Sequence, residues 1–322
     1  MRNRTKSILV ILAATVTLVT AMLVLPRIIE AKRFKWLSGN DGVTANPAPV
    51  FQNNKNEIIV GASVRNDTSE PLRSMKQLPL EPKIEHEANE NPGIGHFHKD
   101  VEDPVVQRFS FSPDVGAPNM PAASLNFNGV PFPGVACNCA PPDTNGEVGA
   151  SQYVQIVNEG YQVFDKATGA SQLGPSGIAT LWSGFGGVCQ NNGSGDPVVL
   201  YDQLAGRWII SQFAGVSVPT DECIAVSTTG DATGSYFRYD FHLGSNFFDY
   251  PHLSVWPDAY YMSMNVFNSS GTAFLGPQPF AFDRAKMLAG LPATFISTGI
   301  TGGSGEDVYL PADLDGSNLP PT

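Results

Sequence analysis

Three aspartates recur at an even spacing along the chain, and their chemistry is that of ligands for a hard cation. Asp143, Asp196 and Asp249 are separated by 53 residues in both intervals. Carboxylates at equivalent places of a repeat can coordinate a hard cation when the repeats surround one axis. The competing interpretation is structural, because an Asp side chain also stabilises a tight turn by bonding to nearby backbone. The spacing alone leaves both roles open.

Two short segments resemble calcium-binding loops in which Asp alternates with Asp or Asn before a Gly. Both lack the ligand spacing of an EF-hand loop, and turns of this composition also form without a ligand. Calcium is the candidate ion, and no other cofactor is expected. The candidate metal ligands are Asp143, Asn145, Asp313 and Asp315.

The chain has four cysteines, an even number that permits disulfides in an oxidising compartment. Cys189 and Cys223 flank strands of one repeat, and we predict a disulfide between them. Cys137 and Cys139 are separated by one residue, a spacing at which a direct bridge is strained, so their pairing stays open. Buried or free thiols are the alternative interpretation for all of them.

Glycoside hydrolysis is the enzymatic chemistry that the residues leave open. A sialidase-like site uses a Tyr nucleophile, an acid and a cluster of arginines for the substrate carboxylate. Arg207, Arg238 and Arg284 fall within the repeats, where they either converge on one ligand or lie exposed on outer strands. No nucleophile elbow, zinc-protease motif or phosphate-binding loop occurs in the sequence.

Short strands have to position these residues, because the composition disfavours helices. Charged residues are 15% of the chain, whereas average globular proteins have roughly 25%. The chain also contains 32 Gly and 26 Pro, which are both unfavourable inside a helix. The composition therefore predicts an all-β protein with many tight turns.

One stretch of the chain contains four β-type runs separated by turn residues. A four-stranded meander of this length is the size of one β-propeller blade. The segment after Asp202, with Gly206 before Trp208, also resembles the Asp-box turn of sialidase-like blades, with one residue more between Asp and Trp. Such a turn supports the fold and carries no catalysis. The four runs are 198–202, 207–213, 223–227 and 236–241.

The same pattern recurs along the chain. Each repeated aspartate precedes a short strand, a polar turn and an aromatic-headed strand that ends near Asn158, Gln212 or Asn265. A further opening of this kind lies at 311–316. The recurrence predicts a partial β-propeller of three four-stranded blades and the start of another, with a Gly-rich β-sandwich as the alternative. One short helix is expected at 283–290, because Asp283 is a good N-cap residue and Gly290 a good C-terminal stop.

The first 31 residues have the features of a signal peptide or a membrane anchor. Basic residues precede an uncharged run at 8–25, which is 18 residues long. This run is longer than a typical signal-peptide core and close to the roughly 20 residues that span a bilayer. Cleavage and retention in the membrane both stay open. The predicted location is extracytoplasmic, either secreted or anchored through residues 8–25.

The remaining sequence divides into a spacer and a folded region. Residues 32–118 show little periodicity and are rich in Asn, Pro, Glu and Lys, so we expect a low-order spacer. Residues 119–322 are expected to form the partial propeller. The net charge of −11 argues against a nucleic-acid partner, because an acidic surface repels phosphates. It leaves divalent cations and basic ligands open.

With these motifs in view, the region from Ala140 onward resembles a group of secreted bacterial β-propeller proteins of mostly unassigned function, distantly similar to sialidase-like propellers. The resemblance implies a propeller and says little about activity. Because propellers have about 4–8 blades, we expect the chain to be truncated or to be completed by a partner. The leading hypothesis is a non-enzymatic module that binds a glycan or a protein, and the alternative is a sialidase-like glycoside hydrolase. The matching segments are 141–146, 195–202, 249–251, 255–261 and 283–290.

Overall fold

The computed structural model describes residues 58–78, 123–130, 142–301 and 309–316. The predictions for residues 1–31 and for the pairing of Cys137 and Cys139 lie outside these ranges. Within the described ranges, no helix has the length and apolar character needed to span a membrane. The described chain is mostly β-strand with a few short helices, as the composition predicted.

The described ranges contain fourteen strands and three short α-helices. The strands are β1 (Ile59–Ala62), β2 (Arg65–Thr68), β3 (Asn145–Val148), β4 (Gln152–Val157), β5 (Gly160–Asp165), β6 (Ser171–Gly177), β7 (Gly193–Asp202), β8 (Arg207–Ala214), β9 (Asp221–Ser227), β10 (Tyr236–His242), β11 (Phe247–Val255), β12 (Tyr260–Phe267), β13 (Phe274–Phe282) and β14 (Thr294–Ser297). The α-helices are α1 (Ala179–Trp182), α2 (Gly187–Asn191) and α3 (Arg284–Leu288), and a 3₁₀ turn covers Leu72–Ser74.

The strands form three antiparallel sheets that follow one another as the blades of a partial β-propeller. Blade 1 has the strand order β3-β4-β5-β6, blade 2 the order β7-β8-β9-β10 and blade 3 the order β11-β12-β13-β14. Strand β7 lies beside β3 on one side and beside β11 on the other. The first strands of the three blades are therefore the inner strands, and the predicted fold class is confirmed.

Residues 309–316, which include the predicted opening of a further blade at 311–316, contain no strand. They lie beside the inner strand of blade 3, where the Leu314 backbone N–H donates to the Val255 carbonyl at 3.1 Å. The Trp256 indole N–H donates to the Ala312 carbonyl. This segment thus covers one end of β11 without extending its sheet.

A short segment that precedes blade 1 in the sequence, residues 59–68, supplies the outermost strands of two blades. Strand β1 pairs with β14 of blade 3, and β2 pairs with β10 of blade 2. Between them, the Ser63 N–H donates to the Ala293 carbonyl and the Val64 N–H to the Asp240 carbonyl, both at 2.8 Å. The prediction of a low-order spacer over residues 32–118 does not hold here, because the segment completes sheets whose other strands are distant in sequence.

Two hydrophobic cores lie between the blades. One contains Trp182, Trp208 and Val154 and joins blades 1 and 2, and the other contains Phe241 and Phe282 and joins blades 2 and 3. Blade 2 is therefore covered on both faces. This explains why β8 and β9 are almost wholly buried on both faces, since an exposed face is expected only where a sheet meets water.

Local motifs behave as their residue types predict. The Asp283 side chain caps α3 by accepting a hydrogen bond from the Lys286 N–H at 3.0 Å, and Gly290 follows the helix in the left-handed region. The Asp202 carboxylate accepts a hydrogen bond from the Ala205 N–H at 3.0 Å, which closes the predicted turn before β8. Both motifs are structural.

The disulfide between Cys189 and Cys223 is confirmed. It joins α2 to the third strand of blade 2 across a sequence separation of 34 residues. Both cysteines are buried. A disulfide is typical of an oxidising compartment and agrees with an extracellular location.

A cluster of titratable side chains lies on the outer strands of blade 2. Nδ1 of His242 is 3.1 Å from Oδ2 of Asp221, and Arg65 of β2 is the cross-strand partner of Asp240. Burial raises the pKa of Asp240 to about 7, and the Asp221 carboxylate acts in the same direction. The hydrogen bond with Asp221 raises the pKa of His242.

We predict that this cluster makes the fold less stable as the pH rises. Asp240 has a folded-state pKa above its unfolded value of about 3.9, so the folded state holds the extra proton between about pH 4 and about pH 7. The pKa of His242 is raised as well, so its contribution is present below about pH 6.5 and is lost above it. The free energy of unfolding, measured by urea denaturation, should fall by roughly 2 kcal/mol between about pH 5 and pH 8 because of this cluster.

The Asp240→Asn variant isolates this effect, since it removes the ionising carboxyl and keeps the size of the side chain. Its stability relative to the wild type should increase steadily with pH over the same interval. A difference between the two proteins that does not change with pH would contradict the prediction.

Candidate functional site

A pocket of about 300 Å³ lies where the three inner strands begin. Every blade contributes to it, because β3, β7 and β11 each supply part of the wall. The walls combine carboxylates and an exposed aromatic ring with proline and aliphatic side chains, which is a usual composition for a ligand site. We call it the axial pocket. The residues that line it are Asp143, Thr144, Asn145, Asp196, Pro197, Val198, Leu200, Tyr250, Pro251, His252 and Leu253.

The backbone turns in the same unusual way at each blade opening. Asp143, Asp196 and Tyr250 all have left-handed φ angles, of 40°, 43° and 55°. The last two lie where the register of β7 with β8 and of β11 with β12 shifts, as at a β-bulge. A left-handed non-glycine residue costs about 1 to 3 kcal/mol, and such residues concentrate at functional sites.

The third position of the predicted repeat is shifted by one residue. The equal spacing of the aspartates pointed to Asp249 as the equivalent of Asp143 and Asp196. Tyr250 instead has the matching backbone conformation and lines the axial pocket, whereas Asp249 is not among the described residues that line it. The pocket therefore has two aspartates and a tyrosine at equivalent places.

Asn158 holds two of these blade openings together. Its side-chain Nδ2 donates to Oδ2 of Asp143 at 2.5 Å, and its Oδ1 accepts from the Asp196 backbone N–H at 2.9 Å. The side chain is buried, and Gly195 leaves room for it, since a Cβ there would come within 2.7 Å of Oδ1. The recurring amide at the end of the second strand was the sequence signal for this residue, but its role was not predicted.

Tyr250 and His252 form the part of the wall contributed by blade 3. The Tyr250 side chain is 49% exposed, and its ring meets the His252 ring edge-on, with centroids 4.4 Å apart. An exposed tyrosine of this kind offers a ligand both an aromatic face and a hydroxyl group.

A buried carboxyl lies close to the pocket. Glu222 of β9 is fully buried, and burial raises its pKa well above the usual range. The negative charge of Asp196 raises it further, while an interaction with Ser211 has the opposite effect. The sequence patterns did not single out Glu222.

The structure does not bring the four predicted metal ligands together. Asn145 accepts a hydrogen bond from the Val199 N–H at 2.7 Å, which ties β3 to β7. Asp313 accepts one from the Val255 N–H at 2.6 Å, and Asp315 accepts one from a glutamine side chain in the turn after β7. Of these four residues, Asp143 and Asn145 line the axial pocket and the other two do not.

No group of three or more His, Cys, Asp or Glu side chains in the described part of the chain is placed to hold a metal ion. Calcium binding by the predicted ligands stays a prediction.

The three arginines considered for a hydrolase site lie in separate places. Arg238 donates to both carboxylate oxygens of Asp67 on β2, at 2.8 and 2.6 Å. Arg284 donates to both carboxylate oxygens of Asp202, at 2.7 and 3.0 Å. Arg207 donates to carbonyls of the turn before its own strand. None of them lines the axial pocket, so they form no cluster for a substrate carboxylate.

Comparisons with known proteins add little to this geometry. No family model matches the chain, and no curated protein matches it. A crystal structure of the exo-beta-1,3-galactanase from Phanerochaete chrysosporium with beta-1,3-galactotriose is similar with a TM-score of 0.22 and 9% sequence identity. The match covers 53% of this chain and 66% of the galactanase chain. A likeness of this size carries no argument about activity.

Proposed function

We propose that this protein is an extracytoplasmic β-propeller module, secreted or membrane-anchored, that binds a ligand in the axial pocket. The single observation that carries the proposal is the convergence of three blade openings on this pocket. Each opening presents a non-glycine residue in the left-handed region at an equivalent position, namely Asp143, Asp196 and Tyr250. Ligands are usually bound in concave sites that combine an apolar wall with a few fixed polar groups.

Binding without catalysis is favoured over hydrolysis. A sialidase-like mechanism needs an arginine cluster beside its acid and nucleophile. Arg207, Arg238 and Arg284 are each engaged in separate structural contacts. The only acid with a strongly raised pKa near the pocket is Glu222 among the residues that the structure describes, and it is fully buried on the third strand of its blade. A proton donor has to reach its substrate.

Filling the axial pocket is expected to weaken binding of the ligand. Thr144 is exposed at the rim, so Thr144→Trp should occupy the pocket without disturbing a core. The full-length protein is screened on an immobilised glycan array and a peptide array. The ligand that binds most strongly is then titrated against the wild type and against Thr144→Trp. We expect the variant to lose at least about tenfold in affinity, which is the effect of about 1.4 kcal/mol.

The matched control is Thr68→Trp, which adds the same ring at an exposed position on the outermost strand of blade 2. It should bind as the wild type does. Equal binding by wild type and Thr144→Trp would place the ligand elsewhere and refute the proposal. Turnover of chromogenic glycosides by the wild type would refute the non-enzymatic part.

A further inference from the structure

Consecutive blades pack against each other through the faces of their sheets. The core between blades 1 and 2 contains Val154 of β4 and Trp208 of β8. The core between blades 2 and 3 contains Ile224 of β9 and Phe280 of β13. One kind of interface is therefore used twice, and it leaves blade 1 and blade 3 with one outer face each that no described blade covers.

The outer face of blade 3 carries an uncharged row of side chains across its sheet. Val60 pairs with Ile296, and Ile296 pairs in turn with Ala281. Ala281 pairs with Tyr261. Paired residues of neighbouring strands point to the same face. Phe295, the neighbour of Ile296, lies in the core toward blade 2, so the row points away from that blade, and Val60 and Ile296 are both more than half exposed.

A cavity of about 150 Å³ lies on the same outer face. Its walls include Tyr261, Pro279 and Tyr309, and none of its described lining residues is charged. Ser254, the strand partner of Tyr261, also lines it and is fully buried, with a hydroxyl group that has no hydrogen-bond partner. The cavity is smaller than the roughly 300 to 1,000 Å³ of small-molecule sites and suits one inserted side chain. The centres of protein interfaces are likewise poor in charge.

The outer face of blade 1 is apolar as well. Val148 pairs with Tyr153, and Tyr153 pairs with Phe164. Val154, the neighbour of Tyr153, lies in the core toward blade 2, so this row also points away from that blade. Phe127 packs on the Tyr153 and Phe164 rings, with centroids 6.2 and 5.1 Å away. Val148 is exposed, and the row contains no charge.

We propose that the outer face of blade 3 docks the outer face of blade 1 of a second copy of this chain. The contact continues, between copies, the interface that joins consecutive blades within one copy, because these two faces are its uncovered halves. A second copy is favoured over another protein, since one partner then covers both faces. The contact is heterologous, and two copies of the three described blades close a ring of six, within the about 4–8 blades of propellers. This inference goes beyond the ligand site and does not depend on it.

Cross-linking between introduced cysteines tests which faces meet. The full-length chain carries Cys137→Ser and Cys139→Ser, and separate variants add Ile296→Cys or Val148→Cys. With a short bismaleimide, we expect a covalent dimer from the mixture of the two variants and none from either variant alone, because a heterologous contact joins different faces. Val216→Cys is the matched control, since Val216 is exposed on a loop of blade 2. It should give no covalent dimer with Ile296→Cys.

A charge on either face should weaken the association. Ile296→Glu and Val148→Glu each place a carboxylate at an exposed position, and each should raise the dissociation constant of the dimer, measured by sedimentation velocity, at least about tenfold. Leu291→Glu is the control, because Leu291 is 53% exposed, against 51% for Ile296, and lies in the turn after α3. It should change the dissociation constant less than about twofold. Urea denaturation of each variant shows that it is folded.

Several outcomes would overturn the inference. A covalent dimer from Ile296→Cys alone, in the amount that the mixture gives, would show a contact between like faces. A wild type that stays monomeric at every concentration would show that the faces do not associate, and a continuing series of larger oligomers would show that the contact does not close. Equal weakening by Ile296→Glu and Leu291→Glu would place the contact elsewhere on the molecule.

Discussion

Replacing Asp202 with alanine is expected to lower the free energy of unfolding by about 3 to 5 kcal/mol, the cost of leaving a buried ion pair without one partner. Asp202 is fully buried at the end of β7 in blade 2. Its carboxylate accepts two hydrogen bonds from Arg284 and one from the Tyr260 hydroxyl, at 2.7, 3.0 and 2.9 Å. Both donors belong to blade 3, so the substitution removes a set of polar contacts between blades 2 and 3.

Urea denaturation followed by tryptophan fluorescence measures this loss. Asp258→Ala is the matched control, because Asp258 also accepts a hydrogen bond from a tyrosine of blade 3, Tyr261, but lies at the surface. It should cost less than about 1 kcal/mol. Asp202→Asn keeps an acceptor and loses the charge, so its stability should lie between those of the wild type and Asp202→Ala. Similar losses in the free energy of unfolding for Asp202→Ala and Asp258→Ala would contradict the claim that the Asp202 contacts stabilise the packing of blade 2 against blade 3.

The blades were predictable because their information is local. Each combines a turn, an aromatic-headed strand and a second turn within a short span, so periodicity and turn residues identify it. The helix after Asp283 and the turn after Asp202 were predictable for the same reason, since a cap or an Asx turn involves residues that are close in sequence.

The outer strands β1 and β2 were not predictable in this way. Each has only four residues, and their stabilising contacts come from far along the chain. Asp67 of β2, for example, binds Arg238, a residue 171 positions later. A strand so short and polar becomes stable only against an existing sheet edge, and nothing in its own sequence indicates that edge.

The candidate site was predictable in part. The recurrence of Asp143 and Asp196 placed two of its residues, and the propeller explained why they meet. Tyr250 was displaced from the predicted register because a bulge in β11 shifts the pairing, which equal spacing cannot show. Asn158 was visible as a recurring amide, but its role depends on contacts between two blades.

Reducing the Cys189–Cys223 disulfide is expected to lower the free energy of unfolding by about 3 to 4 kcal/mol, because the cross-link restricts the unfolded chain over a loop of intermediate length. The bond closes a separation of 34 residues and ties α2 to β9. That segment includes β7 and β8, the two inner strands of blade 2. The cross-link therefore stabilises the blade that packs against both others.

The measurement compares urea denaturation with and without a reductant, in a background in which Cys137 and Cys139 are replaced by serine. The reductant then acts on one disulfide alone. A further variant in which Cys189 and Cys223 are both alanine should be less stable and should not respond to the reductant. If the protein that keeps Cys189 and Cys223 has the same free energy of unfolding before and after complete reduction, the prediction is wrong.

The disulfide also bears on where the protein folds. A loss of about 3 to 4 kcal/mol is a large part of the 5 to 15 kcal/mol that stabilises a typical domain. In a reducing cytoplasm the chain would lack this contribution to blade 2. The disulfide therefore agrees with an extracellular location, and it supports the proposal that the protein acts outside the cytoplasm without reference to residues 1–31.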